Sequence, residues 1–206
     1  MYEHRYKHGK QEEIIPFKQI KQKVIAAKLP LESEAYFWLL YYCCVRKSEG
    51  YERVKEDFKI KGDYLSIDFH QRKKNGATVD ALDIPLSWYG IDKLVKQVEK
   101  AKPSYKTVFS QKKKQKIKNR VKAKFVFPSI QSTKAWEIVK KVLGKKHYPH
   151  FLRLNGLTEI CNDPTASFTR LKSFSGIKSL SSLKAYLGKS KEEQDKAIAF
   201  RGQHFE

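Results

Sequence analysis

Residues 35–45 read AYFWLLYYCCV, the longest apolar stretch of the chain and free of charge. It is too short to cross a membrane, which takes roughly 18 apolar residues. Ser33 is a fair N-cap, so a helix is expected from Glu34 to about Val45. A helix that is apolar nearly all round has no face to give to water and belongs in the middle of a fold. The other elements have to surround it, and a chain of 206 residues can build one sizeable core in that way.

The flanking sequence supplies elements for that role. Residues 1–16 are polar, end at Pro16 and read as a basic arm. Residues 17–28 suit a short helix with Ile20, Val24 and Ile25 on one face, stopped by Pro30. Arg46 falls at the end of the central helix, and Ser48 and Glu49 open another. From Asp57 the period changes to two: Leu65, Ile67 and Phe69 alternate with polar residues, Asn75-Gly76 marks a turn, and residues 79–86 return as a second strand. The tip of that hairpin holds Arg72, Lys73 and Lys74. Trp88 and residues 91–98 give an amphipathic helix that ends before Pro103. Phe125-Val126-Phe127-Pro128 reads as a short apolar return to the core, and residues 133–143 as a helix with Gly144 as its C-cap. The last third is a run of short helices: Pro149 to about 160, one opened by Asp163-Pro164, one at 181–187 carrying Tyr186, and a tail helix at 191–200. The expected class is α+β and mainly α, a helical domain with a small antiparallel hairpin sheet on one side.

Composition decides which partners are worth considering. The formal charge of +21 costs stability through self-repulsion and calls for a polyanion. Nucleic acid leads, an anionic membrane surface comes second, and a lysine-rich genome is the bland explanation. Residues 103–124 stand apart as a basic insert: Lys112, Lys113, Lys114, Lys116, Lys118, Arg120, Lys122 and Lys124 follow Gln111 with no acid among them. Three cysteines, two adjacent at Cys43 and Cys44, make neither a disulfide framework nor a zinc cluster. The amino terminus lacks the apolar core of a signal peptide, so a cytoplasmic, DNA-associated protein is expected.

Taken one at a time, the candidate residues have ordinary explanations. Arg46 can complement a helix dipole, Lys73 can be solvated on its hairpin, and Tyr186 can pack between Leu183 and Leu187. Together they suit one chemistry. His150 and Arg153, three positions apart on a helix, share a face. Cleaving a phosphodiester without a metal requires charge stabilisation on the non-bridging oxygens, which two forked guanidiniums can give. A tyrosine can then serve as nucleophile, a histidine can move its proton near neutrality, and a lysine can protonate the departing oxygen. Carboxylates at two-metal spacing are absent from the sequence.

The order Arg46, hairpin lysine, His150-x-x-Arg153, Tyr186 resembles the catalytic domain of the tyrosine recombinases, the phage integrases and Xer-type resolvases. Residues 39–49 (LLYYCCVRKSE) are similar to the first box, where a buried helix ends in Arg followed by Ser-Glu. Ile84-Pro85-Leu86 resembles the end of the family's hairpin, Phe127-Pro128 its signal before the second box, and Pro149-His150-Phe151-Leu152-Arg153 that box itself. Ser175-Gly176 with Tyr186 ten positions after the glycine resembles the interval leading to the nucleophile. The likeness runs over residues 18–188, with 17–188 as the catalytic domain and 189–206 as a tail.

The resemblance implies that Arg46 and Arg153 clamp the scissile phosphate and that His150 is general base or acid. It implies that Tyr186 forms a 3′-phosphotyrosyl link and that Lys73, or else Lys74, protonates the 5′-oxygen. Glu49 is a supporting residue that orients the box or pairs with a cation. The implied partners are duplex DNA and further copies of the chain, with no metal or nucleotide cofactor, and the basic insert is expected to follow the DNA backbone.

Three departures stand out. Ile177 occupies the position where the family usually has His or Trp, Leu154-Asn155 replaces its His-Thr pair, and only 45 residues precede Arg46. They keep open a DNA-binding module that retains the fold without the chemistry, and a type IB topoisomerase-like nicking enzyme.

Overall fold

The structure is a computed structural model that describes residues 14–69, 81–112 and 115–161, the side chains within 108–119 and at 160–161 excepted. Lys73, Lys74, Asn75-Gly76, Ile177, Tyr186 and the expected tail helix lie outside the described residues.

Helix α1 (Phe17–Ala27) buries Ile20 and Val24 and ends where Lys28 turns left-handed at φ 44°. Helix α2 (Leu31–Cys43) is the centre of the molecule: Ala35, Tyr36, Phe37, Trp38, Leu39 and Leu40 have no exposed surface. At ~1.5–3 kcal/mol for each large apolar side chain, this one segment contributes a large share of the hydrophobic driving force. The helix starts three residues earlier than Ser33 suggests. Pro30 occupies the N-cap position and its carbonyl accepts from Glu34 N–H at 2.9 Å, while Glu32 and Glu34 meet the positive end of the dipole. It also stops before Val45, because Cys44 adopts a left-handed conformation at φ 49°. Arg46 therefore sits not on the end of α2 but at the N-cap of a separate short helix, α3 (Lys47–Tyr51).

Trp38 organises the core around α2. The rings of Phe17, Phe37, Tyr41, Tyr42 and Tyr89 surround its indole at centroid distances of 5.4–6.2 Å. Gly90, N-cap of α4 (Ile91–Glu99), lies flat against the same indole at φ 81°, where a Cβ would collide with it.

The small sheet is antiparallel with strand order β1 (Phe58–Lys61), β2 (Tyr64–Ile67), β3 (Leu82–Pro85). The sequence anticipated β2 and a return strand, but not β1, which folds back through the turn at Gly62. The return strand is shorter than residues 79–86, and β2 does not alternate: Leu65, Ser66 and Ile67 are all buried, so both of its faces are covered. A larger difference lies in the basic insert. It forms a second sheet, a hairpin of β4 (Ser104–Lys112) and β5 (Gln115–Ala123) in nine-residue register.

Helix α5 (Ser132–Leu143) ends at Gly144, φ 97°, and α6 (Pro149–Cys161) follows. Phe125, Val126 and Phe127 do return to the core, each at most 2% exposed. A mainly helical chain with small antiparallel sheets is the class the sequence led us to expect.

Candidate active site

Arg46 and Arg153 both lie within electrostatic reach of His150 and are held in different ways. Arg46 is held by its own helix: Glu49, at the third position of α3, accepts from the Arg46 backbone N–H at 2.7 Å and from Nη1 at 2.9 Å. This is the reciprocal half of a capping box, and it gives the carboxylate two donors from one residue. The Arg46 side chain nevertheless keeps 68% of its surface exposed, so its fork is open to a ligand. Arg153, in contrast, is 5% exposed in the middle of α6 and donates from Nη1 to the Cys44 carbonyl.

His150 lies between them in electrostatic terms. It is half-buried one turn before Arg153, and its pKa is pushed below the ordinary histidine value. Desolvation is the largest cause, followed by the positive charges of Arg153 and then Arg46. An imidazole in this setting is neutral at pH 7 and able to accept a proton. Its ring lies nearly parallel to that of Tyr148 (10°, 6.4 Å), which in turn stacks on Trp136 (21°, 5.6 Å). Lys47, next to Arg46, donates to Ser132 Oγ at 2.7 Å and lies 5.6 Å from the Trp136 ring centre, with its pKa lowered by burial.

The structure thus brings together Arg46, Glu49, His150 and Arg153, which the sequence spreads over more than 100 positions. Of the basic insert, Arg120, Lys122 and Lys124 are exposed, Lys112, Lys116 and Lys118 are described only by their strand positions, and Lys113 and Lys114 lie outside the described residues. Among the described residues no three His, Cys, Asp or Glu side chains are grouped to hold a metal ion, and no helix is long and apolar enough to cross a membrane.

Three contributors escaped the sequence reading. The buried side chain of Asn155, in the place of a departure from the second box, accepts from Ile15 N–H at 2.8 Å and donates to Ile15 O at 3.3 Å. It ties the segment before α1 to the helix of His150 and Arg153. Gly156 lets α6 settle on Cys44, whose Sγ a Cβ would strike. Lys106, 2% exposed, donates to the carbonyls of Tyr51 at 2.5 Å and Phe127 at 2.7 Å. Burial lowers its pKa to about 8, with Glu32 and Glu52 opposing. No local pattern marks Lys106 among its lysine neighbours, because only the partner carbonyls distinguish it.

The class follows from the arrangement of elements: this is a tyrosine recombinase-like fold. The XerH site-specific recombinase, bound to palindromic difH substrate in a post-cleavage complex, superposes with a TM-score of 0.66 at 13% identity, over 92% of this chain and 53% of that one. The Tn1549 transposon integrase (residues 82–397), in complex with circular intermediate DNA, matches with a TM-score of 0.61 at 14% identity, over 93% of this chain and 66% of that one. The chain spans about half the length of the XerH protein. No protein-family model matches the sequence, and no curated protein does either.

Proposed function

We propose that this chain is the catalytic domain of a site-specific DNA recombinase or integrase that cleaves and rejoins strands through a 3′-phosphotyrosyl link, without a metal. The observation that carries this reading is the pairing of an open and a buried guanidinium around one neutral, half-buried imidazole. Arg46 and Arg153 bind the non-bridging oxygens and offset the charge that develops at the pentavalent phosphorus. His150 takes the phenol proton as Tyr186 Oη attacks phosphorus. The bond to the 5′-oxygen breaks, and that oxygen leaves with a proton from Lys73. Attack by a 5′-hydroxyl on the phosphotyrosine reverses the step and rejoins the strand. Glu49 keeps Arg46 oriented. The partners are duplex DNA and further copies of the chain, since exchanging strands takes more than one active protomer.

Ile177 favours a second reading, a DNA-binding module that keeps the fold without the chemistry. A nicked suicide duplex separates the two. The first requires a covalent protein–DNA adduct that Tyr186→Phe abolishes, and intact binding with no adduct establishes the second. Relaxation of supercoils without site preference would instead mark a type IB topoisomerase-like activity.

A further inference from the structure

The basic insert is a ribbon with two unlike faces. In an antiparallel pair, directly opposed residues project to the same side, and successive positions along each strand alternate. The register opposes Tyr105 to Lys122, Thr107 to Arg120, Phe109 to Lys118 and Gln111 to Lys116, so these positions share one face. The other face takes Lys106 opposite Val121. On β4 this face turns inward, since Lys106 is buried on the Tyr51 and Phe127 carbonyls, while Val121 across from it on β5 stays 39% exposed. The first face is open at its base: Tyr105 is 59% exposed, with the cationic groups of Arg120 and Lys122 at 4.7 and 5.6 Å from its ring centre.

By register, positions 116, 118, 120 and 122 of β5, all lysine or arginine, fall on the face of Tyr105, with no acid among the opposed positions. At ~3.4 Å per residue the row is about 20 Å long, more than half of a ~34 Å duplex turn. A two-stranded ribbon is narrow enough for the major groove, about 12 Å wide. Arg120 and Lys122, both exposed, carry like charge two positions apart on one strand, a placement that a polyanion laid along the strand stabilises.

The geometry points to the outward face of β4–β5 as a second duplex-DNA contact, the ribbon lying in the major groove beside the phosphate held by Arg46 and Arg153. This deepens the proposed function and rests on it for the position of the duplex. Lys106 supplies the link, because Tyr51 is the last residue of α3 and Arg46 is the N-cap of the same helix. The ribbon and the phosphate clamp are thereby attached to opposite ends of one helical turn.

The test uses the Tyr186→Phe protein, so that binding is read without cleavage. Duplex affinity is measured across a salt series, together with protection of guanine N7 from dimethyl sulfate. The triple variant K116Q/K118Q/R120Q should flatten the slope of log K against log salt by about 2–3, at ~0.9 per phosphate contact, and abolish guanine protection in the flanking half-turn. The control K59Q/K61Q/K100Q removes the same charge from exposed positions elsewhere and should do neither. Equal effects of the two triples overturn the inference, as does a flattened slope with no guanine protection in the parent. Equal affinity for duplex RNA also overturns it, because the deep, narrow RNA major groove does not admit a ribbon. Ribbon-dependent binding by a protein whose Tyr186 form yields no adduct sinks the enzyme reading alone. An adduct with ribbon-independent binding sinks the ribbon alone, and absence of duplex binding sinks both.

Discussion

Arg153 donates to the carbonyl of Cys44, the left-handed residue that ends α2 two positions before Arg46. One candidate phosphate ligand therefore fixes the backbone from which the other projects. The buried helix, the break at Cys44 and the second-box helix form a single mechanical unit, with Gly156 allowing the close approach.

That unit predicts unequal stability costs for the two arginines. Arg46 is largely exposed and its ion pair with Glu49 is a surface one, so Arg46→Ala should change unfolding free energy by less than ~1 kcal/mol. Arg153→Ala leaves a buried carbonyl without its donor and should cost about 1–3 kcal/mol. On the proposed function both variants lower adduct formation by ~100-fold or more. Urea melts combined with suicide-substrate assays check this, and equal melts for the two would contradict the linkage.

His150 is held neutral by burial and by two positive neighbours, so its folded-state pKa lies below its unfolded one. Such a group contributes stability above its unfolded value near 6.5, and this is lost as pH falls through the folded value. Arg46→Gln removes one repelling charge and should move the imidazole pKa upward. NMR titration of the ring in the Tyr186→Phe protein reads this directly. The acid limb of cleavage should move the same way in active protein. An unmoved titration would place Arg46 out of reach of His150.

Gly90 and Gly62 both have positive φ, but only Gly90 is crowded. Gly90→Ala combines left-handed strain with a clash against the central indole and should cost about 2–4 kcal/mol. Gly62→Ala meets open space and should cost roughly 1 kcal/mol. Thermal or urea unfolding of the pair checks the difference, which vanishes if Trp38 can rotate away freely.

Much of this was legible in the sequence, and the failures have physical causes. The unbroken apolar run of α2 identified the core because nothing else can cover such a helix. Its start was misplaced because the proline cap outweighs the Ser33 signal, and its end because Cys44 turns left-handed. The basic insert hid its strands because lysine or arginine fills every second position of residues 116–124, leaving Ile117, Val121 and Ala123 as a faint apolar trace between them. For the candidate site, Arg46, Glu49, His150 and Arg153 were singled out by type and order, and the fold sets Arg46 and Arg153 within electrostatic reach of His150. Asn155 and Lys106 were not, because each is defined by backbone groups far away in the chain.

Lys106 gives the remaining test of how the ribbon is held. Its ammonium is buried on two carbonyls, and desolvation lowers its pKa to about 8 from the ordinary 10.5. Below pH 8 the lysine is charged in both folded and unfolded chains, so its contribution does not vary. Between pH 8 and 10.5 the unfolded chain binds more protons than the folded one, so stability rises with pH across that window. Lys106→Met removes this dependence and leaves the carbonyls of Tyr51 and Phe127 without their donor, costing about 1–3 kcal/mol at neutral pH. The stability difference between wild type and Lys106→Met should therefore widen from pH 8 to 10.5 in urea melts. A constant difference across that range would mean that the buried amine does not titrate there, and that its two carbonyl bonds hold it charged.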